Sequence, residues 1–177
     1  MLRWLKKRNS AKATAAEIYG AVVAQARAPA FYGAGAVPDT MVGRYEAVVL
    51  HMFLTMERLR ACTPAPDEIL LRRLVERFVT DMDDCMREIG VGDLKVGGHV
   101  KRAAAGLYER IAVYRAALGP DTEVPDGALE DSFAVHGLIP DADAEFTRGK
   151  MAAYVRAARR ALAAQNDDAL IAADINF

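Results

Sequence analysis

The stretch Asp81-Met82-Asp83-Asp84-Cys85-Met86-Arg87-Glu88-Ile89-Gly90-Val91-Gly92-Asp93-Leu94-Lys95-Val96-Gly97-Gly98 constrains the fold more than any other part of the chain. An acid-rich helical wording runs directly into a glycine-spaced connector. Asp81, Asp84 and Glu88 recur at i, i+3 and i+7 and share one helical face, whereas Met82, Met86 and Ile89 share another. Glycines at 90, 92, 97 and 98 open backbone angles that other residues avoid, so a helix ending at Ile89 can turn sharply and a second can leave close beside it. Two long helices are therefore tied together here. The apolar side is expected in the core, and the acidic side is left to solvent or a partner.

The same signal continues along the chain. Alanine-rich segments lie between glycine and proline breaks, 53% of residues are hydrophobic, and no segment alternates with the period of two that a half-buried strand needs. The 177 residues suffice for one substantial core, so the expected fold is an all-α, single-domain irregular bundle of about five to seven helices. Ser10 or Thr14 is expected to cap a first helix ending near Arg27, with Ile18, Val22 and Val23 inward. A second helix from Met41 to Cys62 carries the stripe Met41, Tyr45, Val48, Val49, Met52, Met56 and Leu59, with His51 at its edge. A third, capped by Asp67, should bury Leu71, Val75, Phe78, Met82, Cys85 or Met86, and Ile89. The fourth places Val96, Val100, Ala103, Leu107, Ile111, Tyr114 and Leu118 at spacings of 4, 3, 4, 4, 3 and 4, a near-heptad seam that requires a partner helix. A short helix at Ala128 to Val135 and a long one from Ala142 to Ala164 follow, and the apolar C-terminal residues can dock on the bundle.

The net charge of −1 conceals segregation. Residues 1–12 carry five bases and no acid, 81–93 five acids against Arg87, 95–118 five bases against Glu109, 121–145 eight acids and no Lys or Arg, and 148–160 five bases. Such blocks either organise helix contacts or steer a partner. In the basic segment 1–12, Trp4, Lys6, Lys7 and Arg8 suit an anionic membrane surface, with the indole at the interface and the bases on headgroups; a frayed basic end is the alternative. The opening is too short for the apolar core of a secretory signal, and no run reaches the ~20 apolar residues of a membrane span. Cys62 and Cys85 read as small buried hydrophobes in a reducing compartment, and a cytoplasmic location is expected, peripheral on the inner face of the cytoplasmic membrane.

Reactive chemistry is sparse. His51, His99 and His136 do not stand at ligand spacing, no Gly-rich loop follows a strand, and neither Cys-x-x-Cys nor His-Glu-x-x-His occurs. Gly90-Val91-Gly92 is too short and too acidic in its surroundings to cradle phosphate. Asp81, Asp84 and Glu88 could ligate a hard cation, but the matching Glu-x-x-His pairs of a di-iron bundle are missing, so pairing with bases is the preferred reading. No catalytic residue, metal or cofactor is therefore assigned, and the 13–177 part reads as noncatalytic. A sequence pI near 6.3 argues against DNA binding, while a ribosome or RNA contact through Arg148 to Arg160 stays open.

With these motifs in place, the chain resembles the ubiquinol-cytochrome c chaperone family of alphaproteobacteria, represented in mitochondria by an assembly factor for the bc1 complex. Phe31-Tyr32, Val37-Pro38-Asp39-Thr40, Gly43-Arg44-Tyr45-Glu46 and Leu50-His51 carry the resemblance, followed by Phe78 to Asp81 and Met82-Asp83-Asp84. Arg87-Glu88-Ile89-Gly90-Val91-Gly92-Asp93, Lys95-Val96-Gly97, Tyr108-Glu109-Arg110 and Tyr114 complete it over about residues 18–118. Cys85 stands where the family favours a polar residue, and Gly98-His99 where a Lys-Arg pair is usual. The resemblance implies a noncatalytic chaperone that holds newly made cytochrome b, or a bc1 assembly intermediate containing it, near the membrane; the mitochondrial relatives are also associated with ribosomes and a small partner protein.

Two segments are then expected to lie side by side as a client or partner face. Phe31, Tyr32 and Asp39 come from the loop 31–40, Arg44 from the start of the second helix just after it, and Asp83, Asp84, Arg87, Glu88, Asp93 and Lys95 from the connector 83–97. The competing reading makes both segments joints whose glycines and aspartates fix helix angles.

Overall fold

The structure, a computed structural model, describes residues 2–32, 37–66, 68–119, 127–140 and 145–177, with side chains throughout these ranges except at 2–9, 94 and 146. Seven α-helices among the described residues form an all-α domain: α1 (Leu2–Ala26), α2 (Met41–Arg60), α3 (Glu68–Glu88), α4 (Asp93–Ala117), α5 (Ala128–Val135), α6 (Glu145–Ala163) and α7 (Asp167–Ile171). A 3-10 turn at Pro29–Phe31 links α1 to α2.

α2 is the axis of the bundle. Every residue from Glu46 to Met56 is buried, so this helix is enclosed all round over that span and not merely striped. α1, α4 and α6 pack around it, and α7 touches it. The sequence expectation of one inward stripe was too narrow here, because the run Ala47-Val48-Val49-Leu50-His51-Met52-Phe53-Leu54 serves several neighbours at once. His51, expected at the core edge, is fully enclosed, whereas Met41 at the head of the stripe is exposed.

α1 lies mainly on α3. It runs unbroken from Leu2 to Ala26, so Ser10 and Thr14 lie inside it and cap nothing; no Pro or Gly interrupts 2–19 to force a later start. In α3, Leu70, Leu74, Phe78 and Met82 form the buried row, while Leu71, Val75 and Val79 are a half-buried second row. Ile89, expected inside, points out beyond the end of α3. The expected cap Asp67 and the first residues of the expected last helix lie outside the described residues.

The C-terminal part is fastened by polar contacts that the hydrophobic pattern did not signal. Asn166 caps α7 by accepting from the amides of Asp168 and Ala169. Arg58 of α2 donates to the Leu162 and Gln165 carbonyls at 2.7 and 2.8 Å, and to the carboxylate of Asp167. One guanidinium thus closes the end of α6 and the start of α7.

Candidate functional site at one end of the bundle

Aromatic contacts set one level across four helices. Tyr19 of α1 meets Phe78 of α3 edge-on at 6.5 Å and donates to Asp81 at 2.8 Å. Tyr45 of α2 lies 6.2 Å from the same Phe78 and donates to the Ala103 carbonyl of α4 at 2.9 Å. Beyond this level α1 and α3 run to their C-termini, while α2 and α4 have their N-termini there. Phe78 to Glu88 is about 15 Å of helix against about 6 Å from Tyr45 back to Met41, so the α3–α4 hairpin overhangs the start of α2. The described parts of the loop, residues 29–32 and 37–40, and the connector 89–92 sit at this end.

The local sequence explains how each segment is held. Phe31 is turned inward, its ring 4.9 Å from Tyr154 and 5.4 Å from His51, and Val37 is buried behind it. The Tyr32 hydroxyl donates to the Ala26 carbonyl at 2.7 Å. Thr40 caps α2 by accepting from the Gly43 amide at 3.1 Å. A Cβ at Gly43 would sit 2.1 Å from the Pro38 carbonyl oxygen, so Val37-Pro38-Asp39-Thr40-Met41-Val42-Gly43 folds on itself only with glycine at the last position. Asp39 and Arg44 remain outside as an exposed ion pair at 2.6 Å, and the guanidinium holds the Asp39 carboxyl below its ordinary value. Residues 33–36 of this loop lie outside the described residues.

At the connector, Gly90 takes a φ of 82° and α3 ends in a Schellman motif: the Gly90 amide donates to the Arg87 carbonyl and that of Val91 to the Met86 carbonyl. Arg87 then joins the two helices, donating to Asp83 at 2.7 Å and to Asp93. Both carboxylates raise its pKa. Asp84, Glu88, Asp93 and Lys95 are exposed, and Asp83 is half-buried. Asp81, expected on the open acidic face, is taken by Tyr19. The glycines at 97 and 98 differ from expectation. Both are helical residues of α4, and a methyl at Gly97 would meet nothing within 4 Å, so neither is needed for close helix approach.

Large apolar side chains accompany these ion pairs. Met41, Val42 and Ile89 are 50%, 59% and 52% exposed. Val135, 78% exposed, ends α5, and Gly137 two residues later lies against Val42, where a Cβ would be 3.5 Å from its side chain. Four of the five large hydrophobics exposed among the described residues thus belong to this end, the other being Tyr108.

Beneath the end, a polar lock joins α2 to α4. Buried Glu46 accepts from Arg110 at 2.9 and 3.3 Å, while burial pushes its carboxyl pKa up. A Cβ at Gly106 would come within 2.5 Å of the Tyr45 hydroxyl, so Gly106 is what admits that ring. A second chain of bonds was not anticipated. Gln25 donates to the Tyr154 hydroxyl (3.1 Å), which donates to His51 Nε2 (2.7 Å), while His51 Nδ1–H donates to the Ala47 carbonyl (2.7 Å). Burial lowers the His51 pKa to about 4, and of the two neutral tautomers only the one protonated at Nδ1 satisfies all three. The one available signal was a lone histidine inside an unbroken apolar run.

The side chains of Trp4, Lys6, Lys7 and Arg8 lie outside the described ones; their backbone is the first part of α1, more than 25 Å along that helix from Ala26, by the helix rise. No described helix is long and apolar enough to cross a membrane. Among the described residues no group of three or more His, Cys, Asp and Glu is placed to hold a metal ion.

The model of the family described as ubiquinol-cytochrome C chaperone matches residues 34–177. A solved structure described as the Cbp3 homolog from Brucella abortus is 33% identical, with a TM-score of 0.80 over 100% of this chain and 96% of that one. No curated protein matches at a significant level. The matched family segment takes in α2 to α7, including the Gly43–Glu46 and Tyr108–Arg110 words that meet as the α2–α4 lock, and the chain belongs to the ubiquinol-cytochrome c chaperone family.

Proposed function

We propose that the end formed by the loop 37–40 with the first turn of α2, the 83–95 hairpin and the tip of α5 holds newly made cytochrome b during assembly of the bc1 complex. Family membership gives the general role, a chaperone of ubiquinol-cytochrome c reductase assembly. The observation that carries the finer reading is the grouping of Met41, Val42, Ile89 and Val135 among exposed ion pairs. Apolar side chains give grip on a membrane-protein client, and exposed ion pairs can exchange partners at little cost. Within this reading Asp39, Arg44, Asp83, Asp84, Arg87, Glu88, Asp93 and Lys95 form the polar rim. Phe31 and Tyr32 hold the loop in place from within and meet a client only through it. The role needs no reactive centre.

The chain would work on the inner face of the cytoplasmic membrane, with Trp4, Lys6, Lys7 and Arg8 as its lipid contact. Ribosome contact through Arg148 to Arg160 has less support, because Arg156 pairs with Glu130 and Arg159 donates to the Leu118 carbonyl. A photoreactive residue at position 42 or 89 tests the reading. It should crosslink newly made cytochrome b, whereas one at exposed Thr63, near the other end of α2, should not. Crosslinking only from position 63 would reject it.

A further inference from the structure

A second surface lies on the flank, away from the end just described. Met56 of α2 and the half-buried row Leu71, Val75 and Val79 of α3 floor a groove of about 450 Å³, open to solvent, with half-exposed Tyr108 of α4 on one wall. The row from Leu71 to Val79 spans eight residue steps, about 12 Å or two helical turns. On α4, Ala105 and Ala112 flank Tyr108 and are exposed, so a helix laid there meets small side chains beside one aromatic ring.

The charges around this groove are unbalanced. Glu57 accepts from both Arg60 (2.9 Å) and Arg115 (2.6 Å), and Glu76 is shared by Arg72 (3.5 Å) and Arg73 (2.5 Å). Four guanidiniums therefore share two carboxylates, and Arg72 and Arg115 keep more than half of their side chains in solvent. Their spare N–H donors suit carboxylates brought by a visitor. A second copy joined by a twofold axis would set this arginine-rich rim against itself. Nucleic acid would satisfy the arginines but leave the apolar floor uncovered.

We infer that this groove docks an amphipathic helix of a partner protein, its apolar face on Leu71, Val75 and Val79 and its acidic flanks on Arg60 and Arg72. The surface is separate from the client-holding end and stands independently of it. A fluorescent helical peptide of about 15 residues, with leucines at i, i+3, i+4 and i+7 and glutamates beside them, is titrated by anisotropy with the full chain, against the same peptide carrying lysines. The glutamate peptide should bind at least about tenfold more tightly and weaken with salt, and Arg72→Glu should reverse the preference. Tyr108→Ala, at a half-exposed position, should weaken binding with unchanged circular dichroism and melting. Equal binding of both peptides, no binding of either, or full binding by a folded Val75→Glu chain would overturn the inference. So would self-association abolished by Val75→Glu, or single-stranded RNA binding that competes where the glutamate peptide does not.

Discussion

Single atoms decide which glycines matter. Gly43→Ala forces a methyl against a backbone carbonyl that cannot step aside, and should destabilise the chain by about 2 kcal/mol or more. Gly97→Ala adds a methyl in open space within a helix and should stabilise it by about 0.5–1 kcal/mol. Denaturant titrations of the two variants give the opposite signs directly. His51 makes the pH prediction. Its folded pKa of about 4 lies below the ordinary value of 6.5, so between these values the unfolded chain binds the proton that the folded chain refuses. Its contribution is complete above pH 6.5 and declines as pH falls toward 4. Unfolding at pH 5 should take up about one proton more in the wild type than in His51→Gln, measured from stability against pH. A glycine shows in the sequence, but not the carbonyl that needs it: 90 and 43 are required by geometry, and 97 and 98 are not. Phe31 reads as a loop aromatic, and only the assembled core shows it packed between His51 and Tyr154.

Between helices, polar contacts choose the partners. Glu46→Leu removes the buried partner of half-buried Arg110, leaving it only the exposed Glu109, and should cost about 2 kcal/mol, whereas adding Arg110→Leu should recover much of the loss; a double-mutant cycle by chemical denaturation measures the coupling. Arg58→Ala removes the donor that closes α6 and opens α7, so amide hydrogen exchange should accelerate in 160–172 while α3 and α4 keep their protection. The positions of α2 to α6 were legible because apolar spacing and Gly or Pro breaks agree over most of their lengths. α7 was not, since five residues give too little periodicity and its stability comes from Asn166 and Arg58. Ile89 shows the limit of the pattern. It continues the apolar row in sequence, but the Schellman turn at Gly90 follows at once and leaves it beyond the core.

For the whole molecule, the sequence placed the loop and the connector side by side only as a hypothesis. What brings both segments to one end is the run of helix directions, with α1 and α3 ending where α2 and α4 begin. The acid and base blocks are partly consumed inside the bundle, as Tyr19–Asp81, Arg110–Glu46 and Arg156–Glu130 show, so charge segregation alone overstated the surface available to partners. What remains outward at the end is a set of apolar side chains within a rim of ion pairs. The central claim is that this end holds the client, and a Val42→Asp/Ile89→Asp chain tests it, because both side chains are more than half exposed and their change should leave folding intact. The decisive measurement is the reduced-minus-oxidised haem spectrum of membranes from cells in which this variant replaces the wild type at equal abundance. Selective loss of the b and c1 signals of the bc1 complex is predicted; wild-type signals with the folded variant present would contradict the account.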